Sequence, residues 1–286
     1  MDVIVSPEAM QDRCWAWRGA GERVALVPTM GYFHEGHLSL MRWARAHADK
    51  VVVSLFVNPT QFGPEEDLDR YPRDVERDTA LARDAGVDLL CTPQADALYA
   101  PEHATWVEVP ALARHLCGAS RPVHFKGVAT IVTKLFMLAM PHVAVFGQKD
   151  WQQLALVRRM AADLNIPVRI EGRPIVREAD GLALSSRNVY LSPTERALAP
   201  HLHKGLQVAA GLVDQGERDA AVLCEAVRDY WGREIGLGQE DYLSVVDPEA
   251  IVPVDRVDGP ALMALAYRFE RARLIDNTLL VPGKGA

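Results

Sequence analysis

The stretch Val24-Ala25-Leu26-Val27-Pro28-Thr29-Met30-Gly31-Tyr32-Phe33-His34-Glu35-Gly36-His37-Leu38-Ser39-Leu40-Met41 carries the reading that decides the fold. Val24–Val27 is a short apolar run of the kind that forms a buried strand. Gly36–Ala48 has helical periodicity, with Leu38, Leu40, Met41 and Ala44 on its inner face. Between them lies a polar, glycine-bearing loop. The same alternation continues outward. Val51–Val57 is apolar almost without break, as in a strand covered on both faces. A helix over Val75–Ala85 and a strand over Asp88–Cys91 follow. Then come a helix over Val128–Met140, a strand over Val143–Phe146, a helix over Leu154–Leu164 and a strand over Val168–Glu171. Strands separated by helices predict a parallel sheet with right-handed crossovers.

Beyond about Pro174 the pattern changes. Helices are predicted over Pro193–Val213 and Asp219–Arg233, then strands over Tyr242–Val246, Leu262–Tyr267 and Arg273–Val281. This is the order of a small α+β unit, so the expected division is 1–175 and 176–286. The chain has 286 residues, 49% hydrophobic and 24% charged, the balance of a folded globular protein. Its net charge of −7 argues against a nucleic-acid binder, which carries a basic face. No apolar run reaches the roughly 18 residues of a membrane span, and the N-terminus lacks the pattern of a signal peptide. The four cysteines, Cys14, Cys91, Cys117 and Cys224, form no C-x-x-C pair, so a reducing, cytoplasmic setting is expected. The acidic run Pro64-Glu65-Glu66-Asp67 reads as a solvated loop.

Ligands of open parallel sheets bind at the carboxyl ends of the strands, which directs attention to the loops after Val27, Val57 and Phe146. In the first, His34 and His37 flank Gly36 at a helix start. Free N–H groups and a partial positive charge there suit phosphate, two imidazoles can donate to phosphoryl oxygens, and Gly36 leaves room for a base or sugar. For an isolated pair of histidines, capping of the helix is the commoner role. Zinc is excluded, because the histidines stand at i and i+3 and not i and i+4 on a helix, and no third ligand is evident. Gly19-Ala20-Gly21 precedes a strand and opens no dinucleotide fingerprint, and no P-loop occurs.

After the second strand, Asn58-Pro59-Thr60-Gln61-Phe62 offers the Gln61 amide, with donors and an acceptor for a small hydroxy acid; on spacing alone it is surface polar. After Phe146 comes Gly147-Gln148-Lys149-Asp150-Trp151-Gln152-Gln153. With six lysines against twenty-five arginines, Lys149 at a strand end stands out. It can neutralise phosphate or merely pair with Asp150, which can itself cap the helix or accept ribose hydroxyls. Near 175 lies Val176-Arg177-Glu178-Ala179-Asp180-Gly181-Leu182-Ala183-Leu184-Ser185-Ser186-Arg187-Asn188, whose two hydroxyls and arginine suit a triphosphate tail.

Together these segments resemble the pantoate–β-alanine ligase family of the nucleotidylyltransferase superfamily. His34-Glu35-Gly36-His37 matches its H-x-G-H motif, and the segments around Gln61, Lys149 and Ser185 match its N-P-x-Q-F, F-G-x-K-D-x-Q-Q and S-S-R-N motifs. Asp241-Tyr242-Leu243 and Arg273–Asn277 look familial as well. In Ser120–Val128, similar to a lid-like family segment, Val123 replaces a glycine, and Tyr32-Phe33 replace smaller neighbours; both departures bear on loop mobility or the pocket wall. The resemblance implies an α/β, Rossmann-like parallel-sheet nucleotide-binding domain followed by a smaller α+β C-terminal domain covering the active site. It implies that His34, His37 and Lys149 are catalytic. ATP would be held by Met30, Gly31, Tyr32, Phe33, His34, Glu35, Gly36, His37, Gly147, Gln148, Lys149, Asp150, Val176 (through its backbone), Leu184, Ser185, Ser186 and Arg187. Gln61, Gln153 and Asn58 would hold pantoate and β-alanine.

The implied reaction is condensation of (R)-pantoate with β-alanine, giving pantothenate, AMP and pyrophosphate through a pantoyl adenylate. Mg²⁺ would travel with ATP with no protein ligand assigned, and the family implies a homodimer. Two other classes are weighed. A related adenylyltransferase with another acceptor is disfavoured by the two glutamines and the Ser-Ser-Arg-Asn segment. A non-catalytic nucleotide sensor is disfavoured because His37, Lys149 and Arg187 all stand in place.

Overall fold

A computed structural model describes residues 1–64 and 66–283. In chain order it contains β1 (Asp2–Ile4), α1 (Pro7–Gly19), β2 (Val24–Thr29), α2 (Glu35–His47), β3 (Lys50–Leu55), α3 (Val75–Asp84), β4 (Leu89–Cys91) and α4 (Ala95–Leu98). There follow α5 (Cys117–Ser120), α6 (His124–Ala139), β5 (Val143–Gly147), α7 (Trp151–Asp163) and β6 (Arg169–Arg173). The remainder is α8 (Pro193–Leu198), α9 (Pro200–Asp214), α10 (Ala220–Glu234), β7 (Gln239–Val246), β8 (Ala261–Arg268) and β9 (Arg273–Leu280).

β1 to β6 form one six-stranded sheet in the order β1-β4-β3-β2-β5-β6, every pairing parallel. The central strands are apolar on both faces because helices lie on both; Val24–Val27 and Val51–Val53 are fully buried. α2 contributes Leu40, Met41 and Ala44 to this core, and Leu38 packs at its edge. From β2 the chain winds outward to β3 and β4, then returns to β5 on the other side of β2. The strand order thus reverses between β2 and β5, and the crevice at their carboxyl ends opens beside Thr29 and Gly147.

The chain divides into two compact units. One comprises 1–109, 121–148 and 156–174; the other comprises 110–120, 149–155 and 175–286. The second unit is therefore not a continuous C-terminal stretch. Its core packs α9 and α10 against a three-stranded antiparallel sheet, β7-β8-β9, through Leu202, Leu206, Leu223, Val227, Leu243 and Leu265. The α/β and α+β patterns are those expected from the sequence.

Details differ for local reasons. β1 and α1 have no counterpart in the sequence reading: β1 is three residues long, and α1 is mostly exposed, although Ser6 caps it by accepting the Ala9 N–H at 3.0 Å with Pro7 at its first position. The helix expected over 193–213 is two, α8 and α9, because Pro200 restarts the chain after Ala199. Within the acidic loop Glu65 lies outside the described residues, as does Lys284 among the lysines. Glu66 is not simply solvated: Arg121 donates to both its carboxylate oxygens, at 2.7 and 2.6 Å. Burial alone would raise the Glu66 carboxyl, but the Arg121 hydrogen bonds and charge outweigh it and hold it below its ordinary value.

Candidate active site

The loop leaving β2 is built around backbone that few side chains tolerate. Gly31 and Tyr32 both have positive φ, 84° and 52°. Asp78, on α3 and 1% exposed, fixes this turn: its carboxylate accepts the N–H groups of Tyr32 at 2.5 Å and Phe33 at 2.7 Å. Arg77 donates to the Phe33 carbonyl at 2.9 Å, and its guanidinium lies 5.2 Å from the Tyr32 ring centroid. Burial raises the Asp78 carboxyl above its ordinary value despite the two backbone donors and Arg77. Phe33 is fully buried and belongs to the core, so this departure from the family pattern is not a pocket wall.

His34 is the N-cap of α2. Its Nδ1 accepts the Gly36 N–H at 3.1 Å, while His37 Nδ1 accepts the His34 N–H at 3.4 Å, a reciprocal capping box made of two imidazoles. The rings lie 4.1 Å apart, centroid to centroid. Capping and chemistry are therefore not alternatives. An Nδ1 that accepts a backbone hydrogen assigns the neutral ring's proton to Nε2, so each ring presents an N–H donor at a helix N-terminus. A Cβ on Gly36 would lie 2.8 Å from Cε1 of His34, so glycine at this position admits the His34 ring. The Glu35 side chain turns outward to pair with Arg42.

The second loop lies in the same unit. Gln61 is 7% exposed, which removes the surface-polar reading. Its Oε1 accepts from Asn58 Nδ2 at 3.1 Å and its Nε2 donates to Met30 Sδ at 3.0 Å, tying this loop to the first. Asn58, expected to touch substrate, is 1% exposed. Its Oδ1 accepts from the Thr60 hydroxyl at 2.9 Å, and its Nδ2 donates to Gln61 and to the Gly127 carbonyl at 3.2 Å. With its amide committed in this way, Asn58 orients Gln61 instead. α6 lies directly on this turn, since a Cβ on Gly127 would come within 2.6 Å of the Gln61 nitrogen and the Thr60 carbonyl. Val123, preceding α6, has right-handed backbone (φ −89°) that needs no glycine.

β5 ends at Gly147, beside which a Cβ would meet no atom within 4 Å, and Gln148 follows. The other candidates belong to the second unit. Lys149 Nζ stands 3.4 Å from Asp150 Oδ2, so the simple pair does form. Gln153 lies one helical turn beyond Asp150 and is partly exposed, whereas its neighbour Gln152 is buried. Gln152 donates to the Leu112 and His115 carbonyls, both at 2.8 Å, and accepts the Cys117 N–H at 3.0 Å. Residues 176–184 form a narrow hairpin. The Leu184 N–H donates to the Val176 carbonyl at 3.0 Å, and Arg177 bridges to Ala183. It leads into a short 3-10 turn whose cap, Ser185, accepts the Arg187 N–H at 3.2 Å through Oγ, with Ser186 7% exposed.

Each unit thus gathers its own candidates: 30–37, Asn58 and Gln61 in one, Lys149, Asp150, Gln153 and 176–187 in the other. The sequence reading missed Asp78 and Arg77, which hold the backbone of the first loop from a distant chain position. The local signal for Asp78 was an acidic residue at a helix position that faces inward.

Known proteins resemble the chain over nearly its whole length. A pantothenate synthetase of Nitratidesulfovibrio vulgaris (strain DSM 19637 / Miyazaki F) is 60% identical over 280 residues, 98% of this chain and 99% of that protein. The crystal structure of pantothenate synthetase from Thermus thermophilus superposes with a TM-score of 0.92 at 46% identity, covering 99% of this chain and 100% of that one. The pantoate-beta-alanine ligase of Francisella tularensis, crystallised with beta-gamma ATP and beta-alanine, gives a TM-score of 0.80 at 29% identity over 98% of this chain and 97% of that one. With the family model for pantoate-beta-alanine ligase matching residues 2–279, the chain belongs to that family.

Proposed function

We propose that the chain condenses (R)-pantoate with β-alanine at the expense of ATP, releasing AMP and pyrophosphate. The observation that carries this reading is the imidazole capping box at the N-terminus of α2, beside the point where strand order reverses. It orients two Nε2–H groups at the positive end of the α2 dipole, where negative charge would collect.

A pantoate carboxylate oxygen attacks the α-phosphorus, the bond to the β-phosphate oxygen breaks, and pyrophosphate leaves. The β-alanine amine then attacks the acyl carbon of the adenylate. The carbon–oxygen bond to phosphate breaks, AMP leaves and the amine loses its proton. In this reading His34 and His37 stabilise charge on the α-phosphoryl group. Lys149, Ser185, Ser186 and Arg187 take the β- and γ-phosphates. The backbones of Met30–Phe33, Glu35, Gly36, Gly147, Gln148, Val176 and Leu184, with Asp150, seat the nucleotide. Gln61 and Gln153 align pantoate, and Asn58 holds Gln61. Among the described residues no group of three or more His, Cys, Asp or Glu could hold a metal ion. A magnesium ion carried in on the triphosphate would keep phosphate and water oxygens as its ligands.

We place the reaction in the cytoplasm, where ATP is supplied; four buried free thiols suit a reducing compartment. We place it in a homodimer, as the family resemblance implies. The test is isotope exchange between pyrophosphate and ATP without β-alanine. Exchange that depends on pantoate supports the adenylate, and its absence from folded, ATP-binding protein overturns it.

A further inference from the structure

Two adjacent residues of β9, Asp276 and Asn277, are 5% exposed each, although one is acidic and both are polar. Neighbours along a strand point to opposite faces. On one face Asp276 receives Arg177, Nη1 to Oδ2 at 2.6 Å and Nη2 to Oδ1 at 2.9 Å. The same guanidinium donates to the Gly181 carbonyl at 3.1 Å, closing the 176–184 hairpin across its turn. Gly181 itself has φ +97°, and a Cβ on it would lie 3.0 Å from Cδ2 of His203, so the turn has one seat only. On the other face Asn277 Nδ2 donates to the Lys149 carbonyl at 2.9 Å, while its backbone N–H donates to Asp276 Oδ1 at 2.8 Å. One strand therefore grips the backbone that bears Lys149 and the hairpin that delivers Ser185, Ser186 and Arg187. All of these residues lie in the second unit.

A buried ion pair is poor evidence for stability, since desolvation offsets the attraction and an apolar pair of similar size often does as well. Its geometric content is what an apolar pair would not reproduce. We propose that Asp276 and Asn277 are positioning residues for adenylate formation, setting the spacing between Lys149 and the Ser185–Arg187 segment for the triphosphate. This rests on the proposed roles of those residues toward ATP. Misplacement by about 1 Å can cost 10²-fold in rate.

The experiment compares Asp276→Asn and Asn277→Leu with wild type in two half-reactions. One is pantoate-dependent pyrophosphate–ATP exchange. The other is formation of pantothenate from chemically prepared pantoyl adenylate and β-alanine, which involves no triphosphate. We expect exchange to fall at least tenfold, with the second half-reaction within twofold of wild type. The double variant Arg177→Met/Asp276→Leu should regain the wild-type melting temperature without regaining exchange. Wild-type exchange in the single variants, equal losses in both half-reactions, or recovery of exchange together with stability in the double variant would each overturn the proposal. Should Asp276→Asn fail to fold, Asn277→Leu decides, because it adds no charge, leaves Arg177 and Asp276 in place and removes the side-chain donor to the Lys149 carbonyl. Absence of exchange from wild type would instead overturn the functional reading, and the proposal with it.

Discussion

At the scale of single residues, the cap that His34 forms and the charge-stabilising role proposed for it are separable by substitution. Asparagine is among the best N-caps and can offer Oδ1 to the Gly36 N–H as His34 Nδ1 does, but it has no Nε2–H. We expect His34→Asn to leave thermal stability within about 0.5 kcal/mol of wild type while lowering pantoate-dependent exchange by about 10²-fold or more, the usual effect of losing one charge-stabilising donor. An unchanged exchange rate would reduce the histidine to a cap. Asp78 acts differently, because it holds the loop and not the ligand. Asp78→Ala strands the N–H groups of Tyr32 and Phe33 inside the fold. Each buried donor left unpaired costs about 1–3 kcal/mol, and the positive φ of Tyr32 loses its restraint. Denaturant unfolding should register the loss, and the KM for ATP should rise more than that for β-alanine. Equal changes in both constants would argue against a loop-specific role.

At the scale of elements, the turn Pro59–Gln61 and helix α6 meet at Gly127 with no space between them. Gly127→Ala forces backbone apart, so we expect a destabilisation of about 1–3 kcal/mol, with displacement of Gln61 seen as a raised KM for pantoate. Gly147→Ala, where a Cβ meets open space, is the control for fold stability. This contact also marks where sequence reading stops. The β2–loop–α2 element was legible because its signals are local: an apolar run, a glycine-bearing loop, then a 3.6-residue stripe. The order of strands and helices followed from the same patterning. α6 begins at His124, ahead of the apolar stripe from Val128 that announced it, because its first turn carries His124 and Lys126 among its apolar residues. Motif residues such as Gln61 and Lys149 could be found in their loops. What supports them could not: Asp78 is 45 residues from Phe33, and Asn277 is 128 from Lys149. Such pairings are set by packing of distant segments, and nothing in the local pattern of either partner encodes the other.

At the scale of the whole molecule, groups with shifted proton affinity in both units combine into one pH dependence. In the first unit His142 accepts the Val24 N–H at 3.0 Å through Nδ1, and burial followed by Arg18 and Arg23 holds its proton affinity below the ordinary value. In the second, burial and then Arg177 do the same to His203, against the attraction of Asp276. A histidine depressed in the fold leaves the unfolded chain to bind more protons once pH falls below about 6.5, so stability falls with pH from there. At the other end, burial lifts the Cys14 and Cys91 thiols from the ordinary 9.0 to about 12. Above about pH 9 the unfolded chain therefore loses these protons first and gains relative to the fold. Between the two limits no shifted group named here titrates, and the melting temperature should be flat from about pH 6.5 to 9. Below about 4.5 a steeper loss should begin. Burial raises the Glu66 and Asp241 carboxyls, but Arg121 and Arg273 more than reverse this, and the stability so gained is lost as each is protonated. Asp78, shifted upward, opposes that trend only in part. Melting curves of wild type and His142→Gln/His203→Gln between pH 4 and 10 separate these contributions. The double variant should keep the alkaline limb and stay flat down to about pH 4.5. A melting temperature that rose between pH 6.5 and 5 in wild type would mean that Asp276, 3.9 Å from His203 Nδ1, draws a proton onto the ring more strongly than burial and Arg177 exclude it.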